Sequence, residues 1–571
     1  MKFRLRDAYL VCGFCALLGF LVVAGEGRRS LPKERPATDT LVVATTREPE
    51  TLHPVLGVNS MAAVEIFGAL FEPLTVYDDR HRLVPCLATE VPSLENGGLQ
   101  LCPREKDWKM KTVWHLLPDA RWSDGVPVTA DDFKFTYRLI MDADVPAVSR
   151  ELEERIFKME SHASGRTLVV FWKEPYAFAQ EGHRHLVVPR HIEEPRFNGL
   201  SAEERKQYER TPFNRQPVGN GPYRLAEWAL GRYLVLERQP YWHGPEPPLR
   251  RLIYRFIPEG ETVLANLDTG RVGAVSPVAL DYDLAVEFDQ RAQARGDGTY
   301  VMDYQPGLWW EHIDFNTENP ITADKRVRQA LTAGLNRQAI CQALFAGRSS
   351  VTDTWLPPLH PAAFPPHLPR YPYDRQRATD LLEAAGWRVG PGGLRFKDGR
   401  PLRLTLTYTA GEPLTDRMAQ MAKEDWRLLG VELNLRPVDS QKFAETSAES
   451  RAYQGLSLYA WVMDPSADGM TFWTSDNIPT DENPNGQNTC RWRNARSDRL
   501  LTAATRTLDP KSRRELMWRE QRIWTDELPA IPLFFRQEIS VHHRDLLGWR
   551  PTGTDTPVTW NCYEWRWGER K

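Results

Sequence analysis

Between His312 and Val438 the sequence switches repeatedly between two hydrophobic periods, and this restricts the fold more than any other feature of the chain. The start, HIDF, reads as strand. DKRVRQALTAGLNRQAICQALFAG then carries apolar residues at helical spacing: Val327, Ala330, Leu331 and Ala333 share one side, and Gly334 marks a stop. Asn336 is placed to cap a second helix that buries Ile340 and Leu344. RATDLLEAAGW ends at Gly386, Lys397-Asp398-Gly399 turns a hairpin, and LRLTLTYTA alternates as a strand. A helix from about Leu414 to Leu429 and the strand VELNLRPV follow. Helices alternating with strands define an α/β fold.

The flanking segments add elements of the same kinds. LVVAT at Leu41–Thr45 reads as a buried strand, and MAAVEIFGAL at Met61–Leu70 as a helix followed by the strand-like LTVYDD and a turn. Two short strands are expected around Ser123-Asp124-Gly125. Thr129 and Asp132 then form a capping box for a helix whose apolar face includes Phe133, Tyr137 and Ile140. Asp131 and Asp132 are helix-start acids favoured by the dipole rather than a catalytic pair. Tyr223–Trp228 and Tyr233–Glu237 read as strands reversing at Gly231. Asp509-Pro510 opens a helix packing Leu516, Ile523 and Trp524 inward, Pro529 stops it, and IPLFFR reads as a strand.

With 571 residues the chain is too long for one compact core, so two or three lobes with clefts between them are expected. The 73 basic and 76 acidic residues nearly balance, which argues against a nucleic-acid partner. At the N-terminus Lys2, Arg4 and Arg6 precede 17 uncharged residues, Ala8–Ala24. That run is an export signal, or an anchor that holds the chain to the membrane if uncleaved. Either places the residues after about 40 outside the cytoplasm.

Cys12 and Cys15 lie inside the apolar run and read as small apolar residues. The other five cysteines allow at most two disulfides, with Cys86–Cys102 the expected pair. Catalytic constellations are missing: there is no GxSxG elbow, no HExxH, and no Cys and His spacing suited to zinc. His183 with His185 and His542 with His543 read as loop pairs. No enzyme activity, metal or cofactor is expected.

One stretch stands apart. YAWVMDPSADGMTFWTSD places Asp464 and Asp468 among Tyr459, Trp461, Phe472 and Trp473. A carboxylate among rings loses hydration and needs a cation or hydrogen-bond donors, from the protein or from a ligand.

Several motifs in fixed order resemble the extracytoplasmic solute-binding proteins, family 5, of oligopeptide and dipeptide ABC importers. They are LVVATTREPETLHPV, IFGALFEPLTVYDD, SDGVPVTADDFKFTY, PVGNGPYRLAEW, DFNTENPITADKRVRQALTAGLNRQAI and DRQRATDLLEAAGW, and the match runs from about Leu41 to Arg536. The resemblance implies an α/β, periplasmic-binding-protein-like fold of type II, cluster C, with two hinged ligand-gripping lobes plus an extra lobe. Residues 1–40 would be the signal or anchor and linker. Lobe I would comprise 41–73, 188–303 and 531–571, the extra lobe 74–187, and lobe II 304–530.

In that family an aspartate shortly after a Trp, commonly beside Asp-Pro, pairs with a peptide's N-terminal ammonium. The resemblance gives this role to Asp464, with Trp461, Trp473, Trp309 and Trp310 as further ligand contacts. Peptide-specific members can carry an arginine three residues before that Trp, where this chain has Leu458. The implied partners are a peptide or other small solute and an ABC permease with its ATPase. The alternatives are a sugar, a chelated metal, or a membrane-anchored sensor.

Overall fold

A computed structural model describes residues 39–57, 60–147, 149–181, 186–277, 279–280, 282–439, 442–443, 455–463, 468–481, 483, 486–554 and 556–568. Its backbone is a mixed ten-stranded sheet. The strands are β1 (Thr40–Thr45), β2 (Tyr223–Ala229), β3 (Tyr233–Arg238), β4 (Arg251–Phe256), β5 (Ala274–Val275), β6 (Tyr300–Phe315), β7 (Arg403–Thr409), β8 (Glu432–Val438), β9 (Gly455–Val462) and β10 (Ala530–His543). Their order is β8-β7-β9-β6-β10-β5-β1-β4-β3-β2. β7 is parallel to both β8 and β9, and β1 to both β4 and β5, as crossovers through helices require.

Two strands tie the halves of this sheet together. β6 and β10 run antiparallel along nearly their whole length, from Tyr300 opposite His543 to Asp314 opposite Ala530. At one end they pack into a core that includes Ile313, Leu331, Trp426, Trp524 and Phe534. At the other, Ile539 and Val541 join a smaller core with Val263, Leu267 and Phe288. A third core, including Leu41, Trp114, Trp172 and Tyr254, spans β1, β4 and a separate four-stranded antiparallel sheet. The register between β6 and β10 is interrupted from Pro306 to Trp310. A Cβ on Gly307 would stand 3.1 Å from the Arg536 carbonyl, so the bare backbone suits this close approach.

Most helices start where the side chains allow. The Thr129–Asp132 capping box forms at the head of Ala130–Met141. Asn336 Oδ1 accepts from Ala339 N, and Asp509 from Ser512 N ahead of Pro510–Glu527. Val327, Ala330, Leu331, Ala333, Ile340 and Leu344 are buried as the spacing predicts.

Some expectations hold only in part, and others fail. His542 and His543 end β10 rather than lying in a loop, and His183 and His185 lie outside the described residues. In Ala130–Met141 the buried residues are Phe133, Phe135, Thr136 and Leu139, while Tyr137 and Ile140 are half-buried. Helix Arg190–Gly199 covers that face, with Phe197 edge-on to Phe135. In Pro510–Glu527 the buried residues include Met517, Glu520, Gln521 and Trp524; Leu516 and Ile523 are at the margin, because polar Glu520 and Gln521 find buried partners in Ser497 and Thr354. The strands expected around Ser123–Gly125 reduce to one bridge, Arg121 with Pro127, across a turn with Gly125 at φ +91°.

The Cys86–Cys102 disulfide is absent, both residues being free thiols. Cys86 N donates to Leu74 O beside the hairpin of Thr75–Tyr77 and Leu83–Pro85, whereas Cys102 N donates to Lys109 O at the edge of the four-stranded sheet. Their positions belong to different sheets.

Leu331 is fully buried, so Leu331→Ala is expected to destabilise the protein by about 2–5 kcal/mol. Loss of the exposed cap in Asp509→Ala should cost only about 1 kcal/mol. Urea unfolding followed by circular dichroism checks this ranking.

Candidate functional site

A cavity of about 640 Å³ lies where β6, β9 and β10 meet the helix α1 (Met61–Leu70). Its walls come from distant parts of the chain: Pro54 and Val55, α1, the hairpin at Val76–Cys86, Ile140, Ser149–Glu153, Trp242–Pro245, Leu308, Trp309, Val462 and Thr554–Tyr563. The interruption in β6 shapes one side. Leu308 and Trp309 fall within the segment not paired to β10, Met463 N donates to Leu308 O at 2.8 Å, and Trp309 sits opposite Val462 on β9.

Neighbouring residues on a strand face opposite sides, and here the two tryptophans part. Trp309 is 38% exposed, lines the cavity, and has the Arg536 guanidinium 5.5 Å from its ring centre. Trp310 is 1% exposed and turns into the core, stacked on His312 with ring centres 4.0 Å apart. Trp473 is buried too, edge-on to both Trp310 and Trp524. Trp461 is half-buried against Phe472 at 4.9 Å. Trp310, Trp461 and Trp473 therefore gather around a small recess with Tyr459, His312 and Asp314, while Trp309 alone of the four faces the large cavity.

The recess is polar at its floor. Tyr459 Oη donates to Asp314 Oδ2 at 2.8 Å, and Thr489 Oγ1 donates to the same oxygen at 2.7 Å. Burial pushes the His312 imidazole down, against the pull of Asp314, and pushes the Tyr459 phenol up, aided by Asp314. Both rings are neutral at pH 7. Asp464 lies outside the described residues; Val462, two positions before it, lines the cavity. Asp468 accepts from Met470 N at 2.9 Å and lies 4.0 Å from Arg155. It thus accepts from the backbone of its own turn and also meets a cation from the 151–155 segment.

Sequence reasoning missed the carboxyl groups of the large cavity. Burial pushes Glu65 up to about 8, with the nearby Glu538 adding to it and a hydrogen bond from Ser276 opposing. Burial also carries Glu72 to about 8, against a hydrogen bond from Trp242, and Glu538 to about 7. A signal existed for Glu65: it is the one charged residue in MAAVEIFGAL, between Ala62 and Ala69 on the buried side of the helix.

The site is a place to enclose a ligand. Its walls are mostly apolar and aromatic, with a few polar groups convergent on the space. It sits across strands shared by two cores, the arrangement of a solute-binding protein. Comparison with known proteins agrees. The profile of the family described as "Bacterial extracellular solute-binding proteins, family 5 Middle" matches residues 82–482. The oligopeptide-binding protein AppA of Bacillus subtilis is 26% identical over 490 residues, covering 85% of this chain and 83% of that protein. The oligopeptide-binding protein of Thermus thermophilus, solved with a pentapeptide, is 29% identical with a TM-score of 0.73, covering 93% and 97% of the two chains. NikZ of Campylobacter jejuni, solved with Ni(L-His), superimposes with a TM-score of 0.74 at 22% identity over 93% of this chain and all of that one.

The chain belongs to family 5 of the bacterial extracellular solute-binding proteins. Members serve ABC importers from outside the cytoplasm and are binding proteins rather than enzymes. Among the described residues no helix is long and apolar enough to cross a membrane; the Ala8–Ala24 run lies outside them.

The raised carboxyls have a signed consequence. Glu65 holds its proton in the folded state up to about pH 8, whereas in the unfolded chain it ionises near 4.5. Between those values folding retains a proton that unfolding releases, so stability falls as pH rises through the window, by up to about 1.4 kcal/mol per pH unit for one such group. Urea unfolding of the ligand-free protein at pH 5, 6, 7 and 8 should show this decline. Glu65→Gln should make it shallower, with Glu72 and Glu538 keeping the rest, and an unchanged slope in that variant would contradict the assignment.

Proposed function

We propose that this protein captures peptides in the large cavity and delivers them to an ABC permease and its ATPase. The carrying observation is the cavity itself, about 640 Å³, walled by rings and aliphatic side chains, with Trp309 open to it. That volume suits a short peptide, whose apolar side chains would displace water from these walls. Val462, in the cavity wall, stands two positions before Asp464 in the sequence, and in this reading Asp464 pairs with the peptide's N-terminal ammonium. Trp461 and Trp473 would shape the neighbouring recess, and Trp310 would support them from the core.

Two of the relatives support a peptide. AppA of Bacillus subtilis is an oligopeptide-binding protein, and the Thermus thermophilus protein was solved with a pentapeptide. NikZ, at 22% identity, bears on the fold alone. Among the described residues no group of three or more His, Cys, Asp or Glu side chains is arranged to hold a metal ion.

In this proposal residues 41–73, 188–303 and 531–571 form lobe I, 304–530 lobe II and 74–187 the extra lobe. The lobes close about the β6–β10 ladder. Closure removes the ligand from water and strengthens its polar contacts. Residues 1–40 act as export signal or anchor.

Native mass spectrometry of protein purified without denaturation should reveal a retained peptide. A retained sugar or metal chelate, together with no peptide binding in titration, would overturn the assignment. Asp464→Asn should weaken peptide binding by about 2 kcal/mol, roughly 30-fold, in isothermal titration. Unchanged affinity in the folded variant would remove Asp464 from the site.

A further inference from the structure

The charges around the cavity are one-sided. Its described lining includes Glu65, Glu72, Glu151, Glu153 and Glu538, and no lysine or arginine. Two of these acids are engaged: Trp242 Nε1 donates to Glu72 Oε1 at 3.1 Å with His243 Nε2 3.5 Å from Oε2, and Arg155 lies 3.1 Å from Glu151. Arg536, two residues from Glu538 on β10, is committed to the buried Glu311.

Glu65 is different. It is 6% exposed, lines the cavity from α1, and its Oε2 has no hydrogen-bond partner among the described residues. A buried acceptor left in that state costs free energy that a matching donor recovers. Glu538 faces the same cavity from β10, close enough for its charge to act on Glu65. Thr556 supplies a third group, with Oγ1 buried and likewise without a partner. Its segment packs along α1, where Thr559 Oγ1 donates to the Glu65 carbonyl at 2.7 Å.

Two acids and a hydroxyl with no protein cation between them fit a positively charged donor brought by the ligand. A bare metal ion does not suit, since no cluster of three or more ligating side chains forms among the described residues. An organic cation on an apolar stem does, because Val55, Val64, Phe67 and Phe71 line the same space and can cover methylene groups.

We propose that Glu65, Glu538 and Thr556 form a subsite for an ammonium or guanidinium group on an aliphatic stem, making this a receptor for basic ligands. The group belongs to a lysine or arginine side chain if the peptide reading of the cavity, on which this deepening rests, is right. The same chemistry is offered by a free diamine. One ionised carboxylate meets the cation, and the second acid can keep its proton and donate it.

The test is isothermal titration of the full chain, freed of retained ligand by unfolding and refolding. The probes are alanine pentapeptides carrying a single Lys, norleucine or Glu at each position in turn, and cadaverine. At one position Lys should bind about tenfold or more tighter than norleucine, with Glu weakest. Glu65→Gln and Glu538→Gln, on separate elements, should each shrink that advantage to about threefold or less while the norleucine peptide binds as in the wild type.

Equal affinity for Lys and norleucine at every position overturns the subsite. So does an advantage that survives in the double variant, or loss of norleucine binding along with lysine binding in both single variants. Cadaverine binding without peptide binding supports the subsite and overturns the peptide reading; peptide binding indifferent to charge does the reverse. No binding by any probe overturns both.

Discussion

The ladder between β6 and β10 is the interaction on which the rest of the molecule depends. Sixteen residues of β6 and fourteen of β10 run antiparallel, buried in one core at one end and in another at the opposite end. Every other strand of the large sheet lies on one side or the other of this pair. The cavity sits where the ladder is interrupted, so the backbone feature that joins the cores also places Leu308 and Trp309 in the cavity wall. Backbone hydrogen bonds hold the frame. The side chains on its faces are left to sort into core and site.

That sorting was only partly legible in the sequence. Periodicity and caps located Met61–Leu70, the paired helices beginning at Lys325 and Arg337, and the proline-headed helix at Pro510, because these depend on neighbours a few residues away. The buried face of Ala130–Met141 depends instead on a helix some sixty residues further on, through the contact of Phe135 with Phe197. Trp309 and Trp310 were indistinguishable as sequence. Strand alternation separates their fates, and the side each takes is set by pairing with β9 and β10.

The site was harder still to read. The aromatic and acidic stretch around Trp461 drew attention by composition, but Trp461 and Trp473 pack against Phe472, Trp310 and Trp524 rather than lining the large cavity. Glu65 and Glu72, seven residues apart, reach that cavity together with the distant Glu538, and only Glu65 broke a local pattern. Their raised pKa values arise from burial, with Glu538 adding to the rise at Glu65, and no local window contains that. The family resemblance supplied the architecture. It did not carry the charge of the cavity, which belongs to this chain's own residues.

β10 lies in the middle of the sheet but follows the other nine strands in sequence, and this fixes the order in which a growing polypeptide can complete the fold. Until residues 530–543 have emerged, β5 and β6 each present an open edge, and such edges invite wrong pairings. The wall formed by Thr554–Tyr563 arrives later still. A nascent chain therefore holds two unjoined half-sheets and no finished cavity until Tyr563 has been made. The cavity is completed by residues that follow every strand of the large sheet, so in a chain of this design the frame is assembled before the cavity is closed.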